Sequence, residues 1–344
     1  MTLVKSAGKV IMTTSASITP SEHSILVVDD EPSIVNALRR ELSTPPLGRY
    51  KYAVEGFTEP KLALERAREK EFEVVITDFR MPEMDGLEFL KALQTMQADC
   101  VPMVLSGQTD MGALIRMINE THIYRFIPKP WSTYFLNSSV AQAVAYRANS
   151  LRNRSMARAL RKKGIALPVN AIAHVDQILV VDDELAVAHA IARDLSNQSR
   201  FDDVFPARRS ETPDQAPVPQ LNASRLIVQV TDSPIHALKM ADAVNFSCVI
   251  ADYKMPQMDG AKFLDTFSEK QPDAALIMIS GAVDLDGIVF ALDMAHIQSF
   301  IAKPWLDHEL RAMVAQALAH RRLKLENSIL AKMCEASDVD FSDD

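Results

Sequence analysis

Two kinds of apolar pattern alternate along the chain. Short β-branched runs, Ile25–Val28, Val74–Thr77, Val101–Leu105 and Tyr124–Ile127, are followed by segments whose apolar residues recur every three or four positions. The runs have the length and continuity of strands buried on both faces. The periodic segments Ile34–Leu42, Lys61–Arg68, Leu87–Met96, Ala113–Ile118 and Phe135–Tyr146 are predicted helices. Strand and helix in strict alternation imply a doubly wound parallel sheet. Ligands of such sheets sit beyond the carboxyl ends of the strands, where strand order reverses. Asp29 and Asp30 end the first strand, Asp78 the third and Ser106 the fourth, and Lys129 closely follows the fifth.

The pattern occurs twice. ILVVDDE at Ile25–Glu31 returns at Ile178–Glu184, 153 positions later. Val75–Gly86 (VITDFRMPEMDG) returns as Val249–Gly260 (VIADYKMPQMDG) at an offset of 174. The same offset carries Ser106-Gly107 onto Ser280-Gly281, Phe126–Trp131 onto Phe300–Trp305, and Val140–Arg147 onto Val314–Arg321. These are two copies of one domain. Matching Thr58 to Thr231 places 20 extra residues before that threonine in the second copy. The surplus lies between Ser196 and Arg225, a polar stretch with four prolines that reads as a disordered surface loop.

Composition narrows the picture. At 344 residues, 48% apolar and 24% charged, the chain can bury two cores. No run approaches the ~18 to 20 apolar residues of a membrane span. Met1–Pro20 lacks the apolar core of a secretory signal. Three scattered cysteines, Cys100, Cys248 and Cys334, argue against a disulfide framework and for a cytoplasmic chain. A net charge of −8 argues against nucleic acid as a partner.

Three carboxylates, a hydroxyl and an ammonium at one sheet edge suit a defined chemistry. Asp29, Asp30 and Asp78 offer the oxygen ligands that Mg²⁺ takes while keeping several waters. A cation there offsets the repulsion between a carboxylate nucleophile and a phosphoryl group. Lys129 suits phosphate oxygens as a point charge, and Ser106 can donate a hydrogen bond to them. The product would be an acyl phosphate on aspartate.

On these residues the chain resembles tandem receiver domains of two-component response regulators: acidic pair, aspartate followed by xxMPxMDG, switch Ser/Thr, switch aromatic, Lys-Pro. The resemblance implies two flavodoxin-like, five-stranded parallel sheets of order 2-1-3-4-5, joined by a helical linker. It implies phospho-acceptors at Asp78 and Asp252. Metal carboxylates would be Asp29, Asp30, Asp182 and Asp183, with the carbonyls of Arg80 and Lys254, for one Mg²⁺ per receiver. Phosphate-binding groups would be Ser106, Lys129, Ser280 and Lys303, switch aromatics Phe126 and Phe300, and both Lys-Pro bonds cis. Every polar element stands in both copies. The expected partners are a sensor histidine kinase or a histidine phosphotransfer protein, and a downstream protein or second copy that docks on the surface of the fourth helix, fifth strand and last helix. The catalysis expected is self-phosphorylation and slow autodephosphorylation, without an output domain. The alternative is a phosphate sink or dimeric scaffold.

The implied organisation is a disordered tail (1–23), receiver 1 (24–147), a basic helical linker (148–175), receiver 2 (176–321, insertion within 197–224), and a helix extension with an acidic tail (322–344). A haloacid-dehalogenase-type phosphatase also uses an aspartyl phosphate, but wants a second Asp two residues on, where Arg80 and Lys254 stand. Ile118–Phe126 resembles receivers attached to HD-GYP phosphodiesterases, yet no HD…GYP, GGDEF or EAL motif occurs. The basic run Arg147–Lys163 reads as a solvated helix. Leu318, Leu325 and Ile329 permit a short helix-pairing seam, residues 335–344 read as a frayed tail, and His122 and His296 as helix C-terminal caps at positive φ.

Overall fold

The computed structural model describes residues 22–43, 51–106, 121, 123–167, 175–196, 225–281, 297, 299–305 and 307–341. The Ala113–Ile118 helix, the insertion, the N-terminal tail, His122 and His296 lie outside them.

In the first half, strands β1 (Glu22–Val28), β2 (Lys51–Phe57), β3 (Val74–Asp78), β4 (Val101–Ser106) and β5 (Arg125–Pro128) pair in parallel in the order β2-β1-β3-β4-β5. Helices α1 (Pro32–Ser43) and α4 (Thr133–Lys162) cover one face, and α2 (Pro60–Glu69) and α3 (Gly86–Met96) the other. Alternation within β1 shows why both faces need cover. Ile25 and Val27 pack with Leu38, Leu42 and Leu136, whereas Leu26 and Val28 pack with Ala63, Phe89 and Leu90, all fully buried.

The second half repeats the plan with β6 (Val175–Val181), β7 (Arg225–Thr231), β8 (Cys248–Asp252), β9 (Ala275–Gly281) and β10 (Ser299–Lys303), in the matching order β7-β6-β8-β9-β10. Its helices are α5 (Leu185–Ser196), α6 (Pro234–Met240), α7 (Gly260–Lys270) and α8 (Asp307–Ala336). Both sheets have the five parallel strands and the order that the resemblance implies. Both Lys-Pro bonds are cis.

The register corrects one sequence alignment. Val28 pairs with Phe57, and Val181, the counterpart of Val28, pairs with Thr231. The true match is Phe57 with Thr231, at offset 174 rather than 173, so all 21 surplus residues precede β7. Thr58, one position beyond β2, is therefore not the counterpart of Thr231.

α4 does not end with its sheet. It runs unbroken for 30 residues, about 45 Å at helical rise, and α8 does the same. Leu136, Val140, Ala143 and Val144 bind its first half to the sheet. The second half lies along α8, where Met156, Ala159 and Leu160 share a small core with Leu330, Cys334 and Val339. Tyr146 meets its counterpart His320 edge-on with ring centroids 6.2 Å apart, and further along Asn327 Nδ2 donates to the carbonyl of Asn149, one turn before its own counterpart, at 3.0 Å. The helices therefore run parallel and nearly in register.

Buried Asn327, Leu330 and Cys334 form the α8 side of this seam at the three- and four-residue spacing of a heptad. This overturns the seam read from the sequence, since Leu318 is turned into the core of the second sheet. The basic segment is not simply solvated either. Arg147 Nε donates to the Asp99 carbonyl at 3.2 Å, Arg154 pairs with the Asp99 carboxylate, and Arg152 lies over Phe341. Val339 is buried against α4, so the tail beyond the helix is packed at least as far as that residue.

Candidate functional site

The site begins with two strand ends. At the end of β1 the chain leaves the sheet, and the Asp29 amide donates to the Phe57 carbonyl at 3.2 Å. This holds the fully buried Asp29 carboxylate at the sheet edge. One oxygen, Oδ1, accepts the Glu31 amide at 3.0 Å; the other accepts Lys129 Nζ at 2.7 Å. Asp78 ends β3 next door. Its Oδ2 accepts the Arg80 amide at 2.8 Å, and its Oδ1 lies 2.6 Å from the same Lys129 ammonium.

The second half builds the same object. Asp182 accepts the Glu184 amide at 3.0 Å, and Asp252 accepts the Lys254 amide at 2.9 Å. Lys303 Nζ stands 2.8 Å from Asp182 and 2.6 Å from Asp252. Corresponding distances agree within 0.1 Å although the side chains are separated by different loop lengths.

Each lysine is brought in from the far side of the sheet. Lys129 follows β5 and Lys303 ends β10, and the tryptophan two residues on anchors that turn: Trp131 Nε1 donates to Glu41 at 3.0 Å, and Trp305 Nε1 to Asp194 at 3.4 Å. The repeated KPW motif is the sequence signal for these anchors.

The loop after Asp78, and after Asp252, is shaped by two local constraints. A Cβ on Gly86 would lie 2.3 Å from the Asp78 carbonyl oxygen, and one on Gly260 2.1 Å from that of Asp252. Close approach of α3 to β3 and of α7 to β8, rather than backbone freedom, demands glycine there. The variable residue of MPxMDG is held at positive φ in both copies, 64° at Glu83 and 75° at Gln257. That costs of order 1 kcal/mol for a non-glycine residue and is the kind of strain kept at functional loops. Asp85 then caps α3 in a reciprocal box with Glu88.

Not every residue named from the sequence converges. Asp30 and Asp183 are exposed, and neither pairs with the shared ammonium. Ser280 is buried with its hydroxyl donating to the Gly281 carbonyl at 3.2 Å. Ser106 ends β4 and Phe300 lies on β10, but their side chains fall outside the described residues. Phe126, half-buried, packs on the α2/α3 side of the first sheet.

The electrostatics suit a further cation. Burial lifts the Asp29 carboxyl above its usual range despite the Lys129 hydrogen bond, and the same holds for Asp182 with Lys303. Burial alone would depress Lys129 and Lys303, but hydrogen bonds to two carboxylates each outweigh it and hold both ammoniums above the ordinary range. One ammonium thus serves two carboxylates, which leaves negative charge to offset. Among the described residues no three acidic, His or Cys side chains already form a metal-holding group. The set fits Mg²⁺ all the same, because that ion takes few protein ligands and keeps its waters.

Comparison with known proteins follows the same two blocks. The Response regulator receiver domain family matches residues 25–141 and 218–315. The second match starts beyond β6 and its acidic pair, which the insertion separates in sequence and the sheet reunites. The chain is 36% identical over 121 residues to the hydrogenase transcriptional regulatory protein HoxA of Cupriavidus necator, covering 35% of this chain and 24% of that protein. It is 30% identical over 144 residues to the C4-dicarboxylate transport transcriptional regulatory protein DctD of Pseudomonas aeruginosa, covering 42% and 30%. Among solved structures, the signal receiver domain of an HD domain-containing protein from Pseudomonas fluorescens is 28% identical, with 37% of this chain and 89% of that one covered and a TM-score of 0.34. The chain therefore spans well under half the length of these curated relatives.

Proposed function

The chain belongs to the response regulator receiver family, and from that premise we propose that its two sheets are tandem receivers that accept phosphoryl groups on Asp78 and Asp252 in phosphorelay signalling. The observation that carries this reading is the duplicated bridge, one ammonium shared by a β1-type and a β3-type carboxylate in each half. A structural ion pair needs one such arrangement; two copies across an insertion point to chemistry.

In this reading a carboxylate oxygen of Asp78 attacks the phosphorus of a phosphohistidine on a sensor kinase or phosphotransfer protein. The P–N bond breaks and its electron pair stays with the imidazole. Lys129 already lies at the carboxylate and takes up phosphoryl oxygen charge, and Ser106 donates to a second oxygen. Asp252, Lys303 and Ser280 do the same in the second receiver. Asp29, Asp30 and Asp78 with the Arg80 carbonyl, and Asp182, Asp183 and Asp252 with the Lys254 carbonyl, would each hold one Mg²⁺. When bound, that ion supplies charge neutralisation at the phosphoryl oxygens. Phe126 and Phe300 are the switch aromatics. Activity is confined to self-phosphorylation and slow autodephosphorylation.

The receivers are assigned to residues 24–147 and 176–321, with 1–23 as a tail, 148–175 as linker and 322–344 as helix extension and acidic tail. No helix among the described residues is long and apolar enough to cross a membrane, and a cytoplasmic site of action belongs to the same proposal. Intact-mass analysis after incubation with acetyl phosphate and Mg²⁺ tests it. Two phosphoryl additions are expected, and one in each of Asp78→Asn and Asp252→Asn; a folded single variant that takes none removes that receiver from the reading.

A further inference from the structure

The face of the first receiver expected to meet a partner protein is already covered in part, and by the second receiver. Its centre is Arg125, the first residue of β5, only 6% exposed. Its guanidinium donates to Ser139 Oγ at 3.0 Å and Gln142 Oε1 at 2.9 Å within its own half. Across the boundary it donates to Ser299 Oγ at 3.0 Å and to Gln316 Oε1 at 3.0 and 2.7 Å. Tyr124 and Phe135 lie against it at 5.7 and 5.9 Å, and Gln316 donates back to the Tyr124 carbonyl.

Two features define what this surface is for. First, the facing residues are counterparts: Arg125 with Ser299 and Gln142 with Gln316 stand 174 positions apart. The halves therefore meet about a local two-fold axis, but with arginine on one side and serine on the other. A second copy of receiver 1, docked in the same way, would oppose Arg125 to Arg125 in a buried space, and like charges there are strongly unfavourable. Second, Arg125 is joined to the site by a strand only four residues long, β5, whose next residue beyond Pro128 is Lys129. Ser299 likewise opens β10, which ends at Lys303.

We infer that this face is a docking surface specific for the chain's own second receiver, and that it carries the state of one acceptor site to the other. The inference rests on the phospho-acceptor reading above. When a phosphoryl group on Asp78 draws Lys129 away from its present sharing with Asp29, β5 moves as a unit, and Arg125 transmits the displacement to Ser299, Gln316 and β10. The reverse path starts at Asp252 and Lys303. The first listener to each receiver is thus its neighbour, held at the high effective concentration of a tether.

Hydrogen exchange on the full-length Asp252→Asn chain, with Mg²⁺ and with or without beryllofluoride, tests this. Only the first site can then bind the phosphoryl mimic. Peptides covering Ser299–Lys303 and Gln316, in the receiver whose acceptor has been removed, should change their exchange by about 5-fold or more, the lower end of coupling between linked sites. Gln316→Ala, and separately Arg125→Gln, should abolish that remote change while the response in the first receiver persists. If the first receiver responds and β10 and α8 do not, the docking surface is silent and the inference is wrong, with the phospho-acceptor reading intact. If neither receiver responds to the mimic, the phospho-acceptor reading itself falls and takes this inference with it.

Discussion

Lys129 Nζ lies 2.6 Å from Asp78 Oδ1, in the position that a phosphoryl oxygen would claim. The Lys303–Asp252 pair repeats that distance. Replacing Lys129 with Gln should slow phosphoryl addition to Asp78 by about 100-fold, the order seen when one preorganised charge-stabilising donor is lost. Addition to Asp252 should continue in the same molecule. Peptide-resolved phosphorylation kinetics with acetyl phosphate would show whether the two sites separate in this way.

The α3 and α7 glycines give a structural prediction. Gly86→Ala pushes a methyl against the Asp78 backbone, which cannot yield as a flexible side chain could. A loss of about 1 to 3 kcal/mol is expected in denaturant unfolding, the usual cost of overpacking. Gly260→Ala should behave alike, because its contact is as short.

Most of the fold could be read from the sequence because the repeat states it twice and buried strands leave unbroken apolar runs. β2 is the strand that the apolar runs do not reveal: Lys51, Glu55 and Gly56 interrupt its pattern, and only the resemblance implies a fifth strand. Asp29, Asp78, Lys129 and their counterparts were legible as a cluster because chemistry-bearing residues fall at strand ends. Arg125 was not. In sequence it is a single basic residue at the start of an edge strand, and only tertiary packing shows that it is buried. The α4/α8 seam was hidden for a related reason. Gln316, His320 and Asn327 stand where a coiled coil usually carries leucine, and Leu318, Leu325 and Ile329 point the apolar pattern elsewhere.

That polar seam has an energetic consequence. Asn153 and Asn327 are counterparts, both buried, and the Asn153 Nδ2 and Asn327 Oδ1 lack hydrogen-bond partners among the described residues. Asparagine in such a seam fixes register at a cost in stability. The double change Asn153→Leu with Asn327→Leu removes both unsatisfied groups and loses the one hydrogen bond to the Asn149 carbonyl, so it should stabilise the chain by a net of about 1 kcal/mol. Denaturant midpoints for the wild type and the double variant give the answer; a lower midpoint in the variant would contradict this account of the seam.

On the opposite flank, Glu55 accepts from Arg66 at 2.7 Å and from Lys70 at 3.0 Å. Hydrogen bonding to Arg66, ahead of the opposing effect of burial, holds its carboxyl down at about 2. Because the folded value lies below the unfolded one, the stabilisation is fully present above the unfolded pKa and is lost as pH falls toward 2. Glu55→Gln should be less stable than wild type by about 1 kcal/mol at neutral pH, since these partly exposed pairs are screened by solvent. The gap should close between about pH 4.5 and pH 2.

Borohydride reduction is the most direct test of the central claim, because it converts an aspartyl phosphate to homoserine at the residue that carried it. Applied to the full chain after acetyl phosphate and Mg²⁺, and followed by peptide mass spectrometry, it should place homoserine at positions 78 and 252. Homoserine at neither position, or at another carboxylate such as Asp29 or Asp85, would contradict the assignment of Asp78 and Asp252 as phospho-acceptors.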